Sequence, residues 1–178
     1  MCVVSSLRED SSPREHYPFP CKERLYDKRA GAFLVTILRE RFSELGFGVS
    51  VNPLEENGVD LKVFREGKLV LVAEVLNWNI SSILTEKRER KITENLNEYN
   101  CLRVLIHTVP LPQLNEFSEN GILLLPIGYQ VLPRHYFSFF KRRGQIERRK
   151  PYSKKVIKDI TRLIFNLLKE AGITCTIH

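Results

Sequence analysis

A three-layer α/β/α domain with a mixed central sheet is the fold this sequence predicts. Three observations lead there. β-Branched and leucine residues recur with a period of two through 59–64 and through the mostly apolar run 69–76, on either side of a polar REGK turn, which is the pattern of a β-hairpin. Stretches with apolar residues at helical spacing lie on both sides of that hairpin. A further apolar run, CLRVLIHTV, follows the second of them. A hairpin pairs antiparallel, whereas a helix between two strands makes a parallel crossover. The sheet is therefore mixed, and helices cover both its faces.

In chain order, residues 1–26 read as a polar, proline-containing arm and 27–178 as one domain. That domain divides into a core over 27–128, a basic aromatic segment over 129–152 and a C-terminal helix over 153–171. Asp27 is placed to cap a first helix carrying Phe33, Leu34, Ile37, Leu38, Phe42 and Leu45 at helical spacing, with Gly46 as its stop. Val49 and Val51 mark a short strand, and the hairpin supplies two more. Ser81 or Ser82 would cap a second helix, mostly polar, with Ile83, Leu84, Ile92 and Leu96 as its apolar stripe. CLRVLIHTV is a fourth strand. NEFSENGILLLPIG reads as a short turn or helix and then a fifth strand. The segment from Gly128 to Tyr152 has no legible period. Val156, Ile157, Ile160, Leu163, Ile164, Leu167 and Leu168 give the last helix a wide apolar face that suits a core or a dimer surface.

A formal net charge of +7 favours polyanionic partners such as nucleic acid or an anionic membrane surface. No apolar run approaches the roughly 20 residues of a membrane span. The N-terminus lacks the pattern of a signal peptide, so the expected location is intracellular, in the cytoplasm. The cysteines show no CxxC pairing, which argues against zinc. No Gly-rich phosphate loop, GxSxG or Cys-His pattern points to nucleotide-dependent or acyl-transfer chemistry.

The candidate chemistry lies in the hairpin. Asp60 sits on one short apolar strand and Glu74 on the next. A carboxylate at an otherwise apolar strand position is costly to bury unless something pairs with it. Two of them on neighbouring strands invite a divalent cation. Asn77 and Trp78 follow directly: Asn77 could hold a phosphate, and Trp78 could stack on a base or close the core at the strand end. Lys141, Arg142, Arg143, Arg148 and Arg149 follow an aromatic cluster, a combination that suits phosphate contact and base stacking, or a solvated loop.

The helix ending in GF, then Gly58-Val59-Asp60, then Ala73-Glu74-Val75 resembles the PD-(D/E)XK superfamily of restriction-endonuclease-like nucleases. The likeness covers about residues 27–110 and is nearest in appearance to archaeal Holliday-junction resolvase-like proteins. It implies a Mg²⁺ or Mn²⁺ ion held by Asp60, Glu74 and the backbone carbonyl of Val75. It also implies hydrolysis of DNA phosphodiester bonds, at branched or damaged structures, and a homodimer. The family pattern ends in a lysine two residues after the Glu, where this chain has Leu76. Some members supply that lysine from the next helix or a neighbouring strand. The resemblance thus makes Lys87, Lys91 and Lys62 the candidates here. The alternative is a catalytically inactive nucleic-acid-binding or interaction module of the same fold.

Overall fold

The computed structural model describes residues 18–52, 58–79, 82–108 and 115–175. Helix α1 (Pro18–Glu44) leads into β1 (Gly48–Val51), β2 (Leu61–Arg65) and β3 (Lys68–Leu76). Helix α2 (Glu86–Asn97) then crosses to β4 (Leu102–His107), and the short α3 (Asn115–Glu119) crosses to β5 (Leu123–Pro126). The sheet runs β1-β2-β3-β4-β5. Its first three strands are antiparallel and the β3-β4-β5 half is parallel, as a hairpin followed by helical crossovers requires. The β2–β3 turn holds Glu66 and Gly67 at φ of 50° and 77°. Two successive positive φ values fit the twist of a two-residue hairpin turn, and glycine takes the second at no steric cost.

Apolar side chains fill both faces of the sheet, which makes three layers. On one face Leu61, Val63, Leu71, Ala73 and Val75 pack with Leu34, Leu38 and Phe42 of α1. Helix α5 (Lys154–Glu170), capped by Ser153, buries Val156, Ile160, Ile164, Leu167 and Leu168, and that face belongs to the same core. On the other face Val72, Leu76 and Leu105 pack with Ile92 and Leu96 of α2 and with Phe117. No helix among the described residues is long and apolar enough to cross a membrane.

Four local expectations change. Helix α1 starts at Pro18, so 18–26 is not arm and Asp27 is not the cap. Pro18 and Pro20 fall in its first turn, where a missing N–H costs no helical bond. Residues 1–17 and Ser81 lie outside the described residues. Thr85, not Ser82, caps α2: its side chain accepts from the Arg88 N–H at 3.3 Å, with Glu86 and Glu89 in the first turn. Ile83 is 78% exposed and leaves the apolar stripe, while Leu84 keeps its place in the core. The region of no legible period folds as β6 (Gln130–Leu132), α4 (Arg134–Lys141) and β7 (Arg149–Pro151), with β6 and β7 pairing parallel in a small second sheet. Tyr136, Phe139 and Phe140 of α4 are buried with Leu132 and with Ala30 of α1. These aromatics are a satellite core, not open stacking surfaces for bases.

Candidate active site

The hairpin register brings the two acids together. Leu61 pairs with Ala73, so the antiparallel step before it sets Asp60 opposite Glu74. Both carboxyl groups then emerge on the α2 side, the face that Val72 and Leu76 also share. The Val75 N–H donates to Asp60 Oδ2 at 2.8 Å. The Asn52 N–H donates to the Asp60 carbonyl at 2.9 Å, tying the end of β1 to this point.

Glu74 is 1% exposed. Its Oε1 accepts from Asn95 Nδ2 at 2.8 Å, and the same amide group donates to the Gly58 carbonyl at 3.1 Å. Arg88 Nη2 stands 3.9 Å from Glu74 Oε2. Burial first, and the neighbouring charge of Asp60 second, push the Glu74 carboxyl up to about 8. Burial also raises Asp60, against the opposing pull of a hydrogen bond with Glu74, the Val75 N–H and the Arg88 charge. Two like charges this close cannot both ionise easily, so near neutrality Glu74 favours its protonated form beside Asp60.

Such a pair is what a divalent cation would relieve. A doubly charged ion in place of a proton would offset both the like-charge repulsion and the unmet charge of a buried and a half-buried carboxylate. The Val75 carbonyl could supply a third oxygen. Its N–H points at Asp60, while the next carbonyl, of Leu76, faces β4 and accepts from the Thr108 N–H at 2.9 Å. Backbone groups alternate sides along a strand, so the Val75 carbonyl faces the Asp60 side. Among the described residues no group of three or more His, Cys, Asp or Glu side chains gathers in a metal-binding cluster. The set is two carboxylates and one carbonyl, all oxygen, which suits an ion of the magnesium type that keeps several waters.

Leu76, at the position of the family lysine, is 1% exposed and packed in the α2-side core. Lys87 is exposed and Lys91 half-buried. The cation that helix α2 brings to the acids is Arg88. Sequence reading missed Arg88 and Asn95, although a signal was present. They lie two helical turns apart on the stripe that also carries Ile92, and Ile92 was already assigned inward. Lys62 shares the face of Asp60, with its Nζ 5.2 Å from the Tyr99 ring centroid.

Asn77 is not a surface contact for nucleic acid. It is fully buried, its Nδ2 donating to the carbonyls of Ala30 at 2.8 Å and Val131 at 2.7 Å. Its Oδ1 accepts from the Val131 N–H at 2.9 Å, so one amide side chain ties β3 to α1 and β6. Trp78 is half-buried against the α2-side core, and its backbone N–H donates to Thr108 Oγ1 at 2.8 Å. Of the basic segment, Lys141 and Arg142 are exposed. Arg143 and Arg149 instead lay their guanidinium groups 4.6 and 4.0 Å from the ring centroids of Phe139 and Phe140. Arg148 Nε donates to the Gly128 carbonyl at 3.2 Å. Glu40 and Glu44 pair with Arg41 on α1 and stand apart from the acid pair.

Compared with known proteins, the chain matches no family model and no curated protein at a significant level.

Proposed function

We propose that this chain is a divalent-metal-dependent endonuclease-like protein that hydrolyses DNA phosphodiester bonds, with Mg²⁺ or Mn²⁺ as the ion. The observation that carries this reading is the meeting of Asp60 and Glu74 at the hairpin end, with Asp60 held by the Val75 N–H and Glu74 buried against Asn95. Branched or damaged DNA as the substrate, and a homodimer as the assembly, rest on the family resemblance alone. The net charge of +7 supports a polyanionic partner.

In this reading Asp60, Glu74 and the Val75 carbonyl hold the ion. A bound ion of this class makes water a nucleophile at neutral pH and offsets charge on the phosphoryl oxygens. The protein's own groups do the rest. The Val75 N–H and the Asn95 amide hold the two carboxylates in place. Arg88, 37% exposed at its side chain, is the positive group nearest the acids and would neutralise a phosphoryl oxygen. A guanidinium stays protonated throughout the working pH range, so Arg88 is a charge contact and not the base that takes the proton from water.

The second reading is a nucleic-acid-binding module without cleavage, and one observation favours it: an apolar core side chain, Leu76, stands in place of the lysine. A single experiment separates the two. Labelled four-way junction, linear duplex and single-stranded DNA are incubated with Mg²⁺, Mn²⁺ or EDTA, beside Glu74→Gln. Metal-dependent cutting that the substitution abolishes supports the nuclease. Salt-sensitive binding with no cutting under any metal supports the inactive module.

A further inference from the structure

Beside the acid pair, β1, β2 and the end of α2 leave a cleft of about 250 Å³. Ser50, Asn52, Gly58, Val59, Lys62 and Tyr99 line it. Lys62 follows Asp60 by two residues, so the pleat carries both side chains to one face. Among the described residues no carboxylate pairs with Lys62; its ammonium lies by the Tyr99 ring instead. Asn52 belongs both to this cleft and to the backbone bond that anchors Asp60. Neither acid lines the cleft, but its wall borders the chain on both sides of Asp60, at Val59 and Lys62.

Its size and lining narrow the ligand. The volume falls just below the roughly 300 Å³ where drug-sized sites begin, which is too small for a large cofactor and adequate for one nucleotide. An ammonium that no described carboxylate pairs is suited to an anion, and an aromatic ring beside it offers a flat apolar surface. Ammonium and ring together are the two contacts by which single nucleic-acid strands are held without sequence preference.

We infer that this cleft is a nucleotide subsite, in which the nucleotide next to the scissile phosphate sets its phosphate on Lys62 and its base or sugar against Tyr99. The inference rests on the nuclease reading for what lies next door, but it is measured without cleavage. Lys62 acts here as a strand-positioning residue, not as the group that activates water. Tyr99 was not among the residues that the sequence singled out.

The test is a titration of the full chain in EDTA with a 5′-phosphorylated deoxydinucleotide and, separately, with inorganic phosphate, followed by NMR shifts. The dinucleotide should move the signals of Gly58, Lys62 and Tyr99 and bind more tightly than phosphate. Lys62→Gln should weaken it about tenfold and Tyr99→Leu several-fold. Lys62→Arg should keep most of the affinity, and urea unfolding confirms that each variant is folded. In cleavage assays Lys62→Gln should raise KM and leave kcat within a small factor. Unchanged dinucleotide affinity in both Lys62→Gln and Tyr99→Leu overturns the subsite, whether or not the protein cuts DNA. Shifts confined to other residues do the same. Lys62-dependent binding in a protein that cuts nothing keeps the subsite and removes the nuclease.

Discussion

Glu74→Gln isolates what the buried acid pair costs the fold. In the unfolded chain this carboxyl ionises near 4.5, and in the folded protein near 8. The folded state therefore binds the proton more tightly. Below about pH 4.5 both states are protonated and there is no penalty. As pH climbs toward 8, the unfolded chain gains an ionised carboxylate that the folded protein resists, and stability falls. The difference between 8 and 4.5 is 3.5 units, which sets a ceiling of about 5 kcal/mol at ~1.4 kcal/mol per unit. Glutamine cannot ionise. Its oxygen still accepts from Asn95 and its amide group can donate to Asp60. Urea unfolding in EDTA at about pH 5 should place variant and wild type within ~1 kcal/mol of each other. At about pH 9 the variant should be the more stable by about 2–5 kcal/mol. Added Mg²⁺ should then restore the wild type by about 2.7 kcal/mol at a hundred times its dissociation constant, and leave the variant unmoved. A stability difference that stays constant between the two pH values would refute the protonated Glu74, and with it the reason for placing an ion there.

Other outcomes follow from the same geometry. Removing the Arg88 charge by Arg88→Gln should push Glu74 further up, read as an upward shift of the carboxyl titration by NMR. Cleavage should fall at least about tenfold, because a charge contact to the phosphate is lost as well. Asn77→Ala strips the side-chain bonds to Ala30 and Val131 and should cost about 3–5 kcal/mol in urea unfolding. DNA affinity of the folded fraction should be unchanged. Leu76→Lys supplies the lysine of the PD-(D/E)XK pattern that the hairpin resembles but drives an ammonium into an apolar core, so a loss of about 3 kcal/mol or more in thermal stability is expected. Neutralising Lys141 and Arg142 together should flatten the salt dependence of DNA binding by about two counter-ions, if both touch phosphates.

The layers, the mixed sheet and the acid pair were legible because each has a local signature. Period-two alternation marks the hairpin, its polar turn joins neighbouring strands, and Asp60 and Glu74 stand out as charges among apolar residues. The helical stripes placed Leu34, Leu38 and Phe42, and later Ile160 and Ile164, in the core correctly. Other features leave little local trace. Strands β6 and β7 are three residues each and pair across α4, so no window of sequence contains their partner. Asn77 looks like an exposed polar residue after a strand. Its burial depends on carbonyl groups 47 and 54 residues away along the chain.

Which cation serves the acids is the sharpest case. On a helix, neighbouring residues differ by about a quarter turn, so Lys87, Arg88 and Lys91 differ only in phase. That phase follows from how Ile92 and Leu96 seat against the sheet, and it points Arg88 at Glu74. The sequence by itself determined which residue types alternate, where the chain turns and which two carboxylates sit on neighbouring strands. Those follow from stereochemistry over a few residues. The register that sets the two carboxylates opposite each other is read from the structure. Tertiary structure alone decided which side chains complete the site, because a contact between distant segments is set by the packing of the elements between them.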